Sequence, residues 1–145
     1  MKIIKTLFFL ILALTSVLVL AGFNVYAANQ SICNPDANVM LHDNGSLKAC
    51  QLKDDYDANN IRCKNGGSVS FYDNGSLKAC QLKNHSAANN IQCKNDGTVS
   101  FYDNGNLESC VLYESVTIGK NNCKEDSLIS FYIDGKLKSC VKPEN

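Results

Sequence analysis

The chain has 145 residues, 14 basic and 14 acidic side chains, eight cysteines and no tryptophan. A balanced charge leaves no basic footprint for nucleic acid. With no Cys-x-x-Cys knuckle and only His42 and His85 as imidazoles, a zinc site is also disfavoured.

Residues 1–27 read as a secretory signal: Lys2 and Lys5 precede an apolar stretch from Leu7 to Phe23, and Val25 and Ala27 supply small residues at a cleavage site. The apolar stretch nears the ~18 residues that can span a bilayer, so an uncleaved anchor is the competing reading. Lipidation is excluded because Phe23, not cysteine, follows Leu20-Ala21-Gly22. Cleavage after Ala27 leaves residues 28–145 as a single domain with no membrane segment, located in the periplasm or secreted.

All eight cysteines fall in that domain, in four pairs: Cys33 and Cys50, Cys63 and Cys80, Cys93 and Cys110, Cys123 and Cys140. The steps alternate between 17 and 13, a constant period of 30, which means one structural unit copied four times (33–62, 63–92, 93–122 and 123–145). Evenly spaced cysteines in an exported chain form a disulfide framework.

Within the second unit, Val69 and Phe71 alternate with Ser68, Ser70 and Tyr72, the period of a half-buried strand. Asp73-Asn74-Gly75 is a turn, and Leu77 and Ala79 alternate with Ser76 and Lys78 beyond it. A three-residue loop closed by a glycine bulge opposes Phe71 to Leu77 and Val69 to Ala79, keeping one face apolar. The same elements recur as Val39, Leu41 and Leu47, as Val99, Phe101 and Leu107, and as Ile129, Phe131 and Leu137. A second, looser hairpin is expected to oppose Leu52 to Ile61 and Leu82 to Ile91. The predicted fold is all-β, four repeats in an antiparallel hairpin meander, extended or curled, stapled by disulfides.

Two pairings use the repeat. In a flat meander the 17-step partners lie two strands apart, roughly 9.5 Å, whereas a bridge tolerates about 7 Å between Cα atoms. The expectation is therefore the 13-step scheme, Cys50–Cys63, Cys80–Cys93 and Cys110–Cys123, with Cys33–Cys140 added if the sheet curls closed.

The kernel Phe-Tyr-Asp-Asn-Gly-Ser-Leu-Lys at 71–78, with copies at 101–108 and 131–138, resembles the bacterial variant of the MORN repeat. The resemblance implies an extended, twisted sheet of successive hairpins that contacts other macromolecules. The export signal directs the reading away from that variant's association with cytoplasmic antitoxins.

No catalytic constellation emerges, and the chain is read as a binding or structural protein rather than an enzyme, without a cofactor. Asp55-Tyr56-Asp57-Ala58-Asn59 opens like a calcium loop but has Asn60 and Gly66 where glycine and glutamate belong, so no metal is expected. Asp43, Asp73, Asp103 and Asp134 are read as turn residues. Asn29, Asn44, Asn74 and Asn84 each begin an N-glycosylation sequon. The candidate binding row is His42, Tyr72, Tyr102 and Tyr132, one per unit on the face opposite the phenylalanines, for a protein or glycan partner. The alternative is a secreted effector or enzyme inhibitor acting through the variable loops 53–60, 83–90 and 113–122. N-terminal sequencing of exported protein should begin at Ala28; recovery of Met1 would favour the anchor.

Overall fold

A computed structural model describes residues 30–144; the expected signal peptide lies outside the described residues. After a single 3-10 turn (Gln30–Ile32) the chain is all β. Its strands are β1 (Met40–Leu41), β2 (Leu47–Gln51), β3 (Tyr56–Ala58), β4 (Ile61–Cys63), β5 (Ser68–Phe71), β6 (Leu77–Gln81) and β7 (Ser86–Ala88). They continue as β8 (Ile91–Cys93), β9 (Thr98–Phe101), β10 (Leu107–Val111), β11 (Val116–Ile118), β12 (Asn121–Cys123), β13 (Leu128–Phe131) and β14 (Leu137–Cys140). Eight of them form one open antiparallel sheet in the order β1-β2-β5-β6-β9-β10-β13-β14. The other six form three separate two-stranded hairpins, β3-β4, β7-β8 and β11-β12. Each 30-residue period therefore contributes a long hairpin to the sheet and a short hairpin outside it.

The long hairpin turns as its residues require. The Tyr72 N–H donates to the Ser76 carbonyl and the Gly75 N–H to that of Tyr72, closing a three-residue loop with Gly75 at φ 82°. That left-handed position suits glycine, which has no Cβ to clash. Gly45, Gly105 and Gly135 repeat it at φ 81°, 85° and 82°. Phe71 opposes Leu77 as expected, but the register then shifts by one residue, so that Ser70 faces Ala79 and Val69 faces Cys80 rather than Ala79. Lys78 is the extra residue of a bulge, which restores the parity of the strand beyond it. Leu77 and Cys80, three apart, consequently both face inward and are buried, while Lys78 is exposed.

The short hairpins also depart from the expected register. Ala88, not Leu82, pairs with Ile91, and Ala58, not Leu52, pairs with Ile61. The stretch 83–90, read as a variable loop, contains strand β7 and a two-residue turn, Asn89-Asn90, with φ 48° and 65°. Asn59-Asn60 matches it at 51° and 64°. Two successive left-handed residues make the turn whose twist fits a tight hairpin, and asparagine tolerates that conformation. Leu52, Leu82 and Leu112 instead form bridges back to Cys33, Cys63 and Cys93. All three are fully buried, at most 1% exposed.

This arrangement overturns the 13-step disulfide scheme. The bridges are Cys33–Cys50, Cys63–Cys80, Cys93–Cys110 and Cys123–Cys140, with Cα separations of 5.5–5.7 Å. The distance argument failed on its premise of a single flat sheet. Cys63 lies on a short hairpin and Cys80 on the sheet, so their bond runs between layers. The Cys33–Cys140 closure is likewise excluded, since each forms a bond within its own unit and the sheet stays open. Four disulfides belong to an oxidising compartment.

The core lies between the layers. The sheet contributes Leu47, Val69, Phe71, Leu77, Val99, Phe101, Leu107, Ile129 and Phe131, the short hairpins contribute Ile61, Ala88 and Ile91, and both layers contribute cysteines. The ring of Tyr56 on β3 meets Phe71 edge-on at 6.0 Å. Non-reducing peptide mapping should return a Cys63–Cys80 linked peptide. Each bridge closes a loop worth ~3 kcal/mol, and four such losses rival the whole stability of a small domain, roughly 5–15 kcal/mol. Full reduction should therefore lower the melting temperature by more than about 10 °C. Leu82→Ala should cost about 2–5 kcal/mol by chemical denaturation.

Candidate functional site

The residues of the aromatic row each follow the last residue of a sheet strand, at the hairpin corners, and most of their polar tips are engaged within the fold. The Tyr72 hydroxyl donates to the Phe101 carbonyl at 2.9 Å, and Tyr102 donates to Phe131 at 2.9 Å. His42 occupies the same place, with Nε2 3.0 Å from the Phe71 carbonyl. Each side chain reaches 29 residues forward, across the intervening second strand of its own hairpin, to the first strand of the next. Burial, with Glu108 and Asp103 nearby, pushes the Tyr72 phenol above its usual value, which keeps it a donor. Tyr132 has no such successor among the described residues; it is 52% exposed, with Lys138 Nζ 5.8 Å from its ring centre.

The hairpin tips add to this ladder. Asn44 Nδ2 donates to the Asp73 carbonyl, and Asn104 and Asn106 donate to that of Ile133. Asn44 and Asn74 each accept from both the N–H and the hydroxyl of the serine two residues on. Two of the sequons are thereby also Asx turns. Asp134 occupies the asparagine position and accepts from the Lys136 N–H.

The variable loops share one structural duty. Asp55 Oδ1 accepts from the Asn65 N–H, His85 Nδ1 from that of Asn95, and Ser115 Oγ from that of Glu125. Three different residue types satisfy the same backbone donor ten residues ahead. His85 therefore presents an unprotonated Nδ1, and its ring lies 3.8 Å from that of Tyr113. The Asn65 N–H, helped by Lys83 and Arg62, holds the Asp55 carboxyl below its usual value. Asp57 pairs with Arg62 at 3.4 Å, so the calcium-like stretch faces cations of its own chain.

Two cavities repeat with the period of the sequence. One, of about 350 Å³, is lined by Asn89, Ile91, Asn106, Leu107, Ile118, Phe131 and Gly135. The other, of about 200 Å³, is lined by Asn59, Asn60, Ile61, Leu77, Ala87, Ala88, Asn89, Phe101 and Gly105. Six positions of the second recur in the first when 30 is added: 59, 61, 77, 88, 101 and 105. Each cavity lies where the turn of a short hairpin meets the next unit, with an apolar lining of Ile, Leu and Phe and asparagines alongside. Asn89 Oδ1 accepts from the Leu107 N–H at 3.1 Å and so joins the two layers.

The loops 53–60, 83–90 and 113–122 contribute Asn59, Asn60, Ala87, Ala88, Asn89 and Ile118 to these linings, whereas the aromatic row contributes none. Sequence reasoning assigned the asparagines to loops and the phenylalanines to the core, and so missed their meeting. Only their common recurrence at 30 residues could have signalled it. A third depression, of about 600 Å³, lies on the outer sheet face over small residues including Ala49, Ser70 and Ala79. Among the described residues no three His, Cys, Asp or Glu side chains converge as metal ligands.

Comparison with protein-family models, curated proteins and solved structures finds no match to this chain.

The row separates internal from terminal tyrosines. Tyr102→Phe should cost about 1 kcal/mol in chemical denaturation, the net worth of one hydrogen bond. Tyr132→Phe should change stability by less than about 0.5 kcal/mol, as surface substitutions usually do. Equal effects would show that the hydroxyl bonds do not couple the units.

Proposed function

We infer that this is an exported, non-catalytic binding protein of MORN-like hairpins that holds a polymer of repeating units, best a glycan chain, along its row of cavities. The observation that carries this reading is the recurrence of one cavity after 30 residues. Neighbouring units are displaced by two strand spacings, roughly 9.6 Å. A polymer whose own repeat suits that spacing occupies successive sites with one geometry, and modest sites gain avidity when they act together. A sugar ring has an apolar C–H face and a hydroxyl-bearing edge, which suit an aliphatic and phenyl lining beside asparagine amides. The four disulfides support a place outside the reducing cytoplasm.

The alternative, an effector or enzyme inhibitor, draws on the same loops, because 53–60, 83–90 and 113–122 differ in sequence from one unit to the next. Titration with oligosaccharides of increasing length separates the two. A polymer binder should gain affinity by about tenfold or more once the ligand spans two cavities, and Asn89→Ala should remove that gain. Affinity independent of length, or tight capture of a single enzyme that survives Asn89→Ala, would favour the inhibitor.

A further inference from the structure

We propose that copies of this protein associate head to tail, with β14 of one pairing antiparallel to β1 of the next so that the sheet continues across the junction. Three independent observations meet at the two ends of the sheet.

The first is a broken series of ion pairs. Lys64 pairs with Asp96, and Lys94 with Asp126, each 32 residues ahead. The corresponding earlier rung joins Asn34 to Gly66, with neither member charged. Acid thus accompanies lysine and is missing where lysine is missing. Two members of the series are left over: Lys124 at the β14 end and Asp36 at the β1 end. Both are exposed, and neither forms a salt bridge among the described residues. In a head-to-tail pair they complete the missing rung.

The second is the hydrogen-bond ladder. Among the described residues Tyr132 has no successor to accept from its hydroxyl, while Leu41 occupies the position of the accepting Phe71, Phe101 and Phe131. The Leu41 carbonyl of the next copy is the acceptor that the repeat prescribes for Tyr132.

The third is where apolar surface remains open. Val39, Met40 and Leu41 at one end and Tyr132, Ile133 and Val141 at the other are 38–53% exposed. Val69, Val99 and Ile129, the counterparts of Val39 in the other units, are at most 1% exposed. The register of β2 on β5, with Ala49 opposite Ser70 and Cys50 opposite Val69, places Ser139 opposite Met40 and Cys140 opposite Val39 in the junction. β1 has two residues where β5, β9 and β13 have four, and among the described residues it has no neighbour on its far side. An unpaired edge is a template for another strand. Because the two surfaces differ, the contact leaves a free end at each addition and propagates.

Sedimentation velocity and small-angle scattering of the oxidised, exported protein across a concentration series test this. The expected result is a ladder of elongated species, each copy adding roughly 38 Å from eight strands at about 4.8 Å. Lys124→Asp and Asp36→Lys each place like charges in the junction and should weaken association by about fivefold or more, an effect reduced by salt. An equimolar mixture of the two variants restores opposite charges at every junction and should recover assembly. Val39→Lys, which puts a charge on the strand edge, should block assembly independently of that rung. A species that stays single up to millimolar concentration, a closed pair that grows no further, or a mixture no better than its components overturns the proposal.

Discussion

A two-stranded hairpin can bury one face only, and here the face that must be buried carries both an aliphatic side chain and a cysteine three residues apart. Strict alternation would send one of them to solvent. The one-residue bulge at Lys48, Lys78, Glu108 and Lys138 removes that conflict. It turns Leu77 and Cys80 to the same side, where Cys80 meets Cys63 from the overlying hairpin. The two-layer core and the inward placement of Leu82 follow from that reorientation. Without the bulge the cysteines of the sheet would face outward and no bond between layers could close.

The layers are held by covalent bonds within units, whereas the units are held to one another by repeated, individually modest contacts. The tyrosine hydroxyls, the tip asparagines and the lysine–aspartate pairs each reach the next unit at a fixed offset. Stability in such a chain is approximately a sum of unit terms and nearest-neighbour terms. Loss of one hydroxyl therefore acts on one junction only. The row read from the sequence as a binding surface serves first as part of these junctions, because a tyrosine at a hairpin corner is long enough to span a strand and meet a carbonyl.

The turns and the sheet core were legible from local chemistry. Asp73-Asn74-Gly75 demands a left-handed glycine, and the period-2 placement of Val69 and Phe71 marks the inward face. The bulge was not legible, because Lys78 fits simple alternation as an exposed residue and nothing local distinguishes the extra position. That one missed residue had consequences: it put Ala79 where Cys80 belongs and kept the expected sheet in a single layer. It also made the correct disulfides look too far apart. The Asn89-Asn90 turn carried a readable signal, two residues that both tolerate positive φ between short strands, but the polar run Lys83-Asn84-His85-Ser86 ahead of it suggested a loop. The repeated cavities left only their 30-residue recurrence as a signal, since each lining comes from three successive units brought together by the layering.

The bridges join cysteines that are consecutive along the chain: first to second, third to fourth, fifth to sixth, seventh to eighth. A chain that enters an oxidising space N-terminus first presents them in that order. Each cysteine's native partner is then the next thiol to appear, and oxidation in order of arrival yields the native set without reshuffling, which is otherwise a slow step of seconds to hours. Eight cysteines allow 105 connectivities, yet this chain reaches its own by the simplest rule of succession. On that route the native bonds need no reshuffling, whereas a 13-step framework, with Cys33 waiting for Cys140, would require it from the first thiol onward.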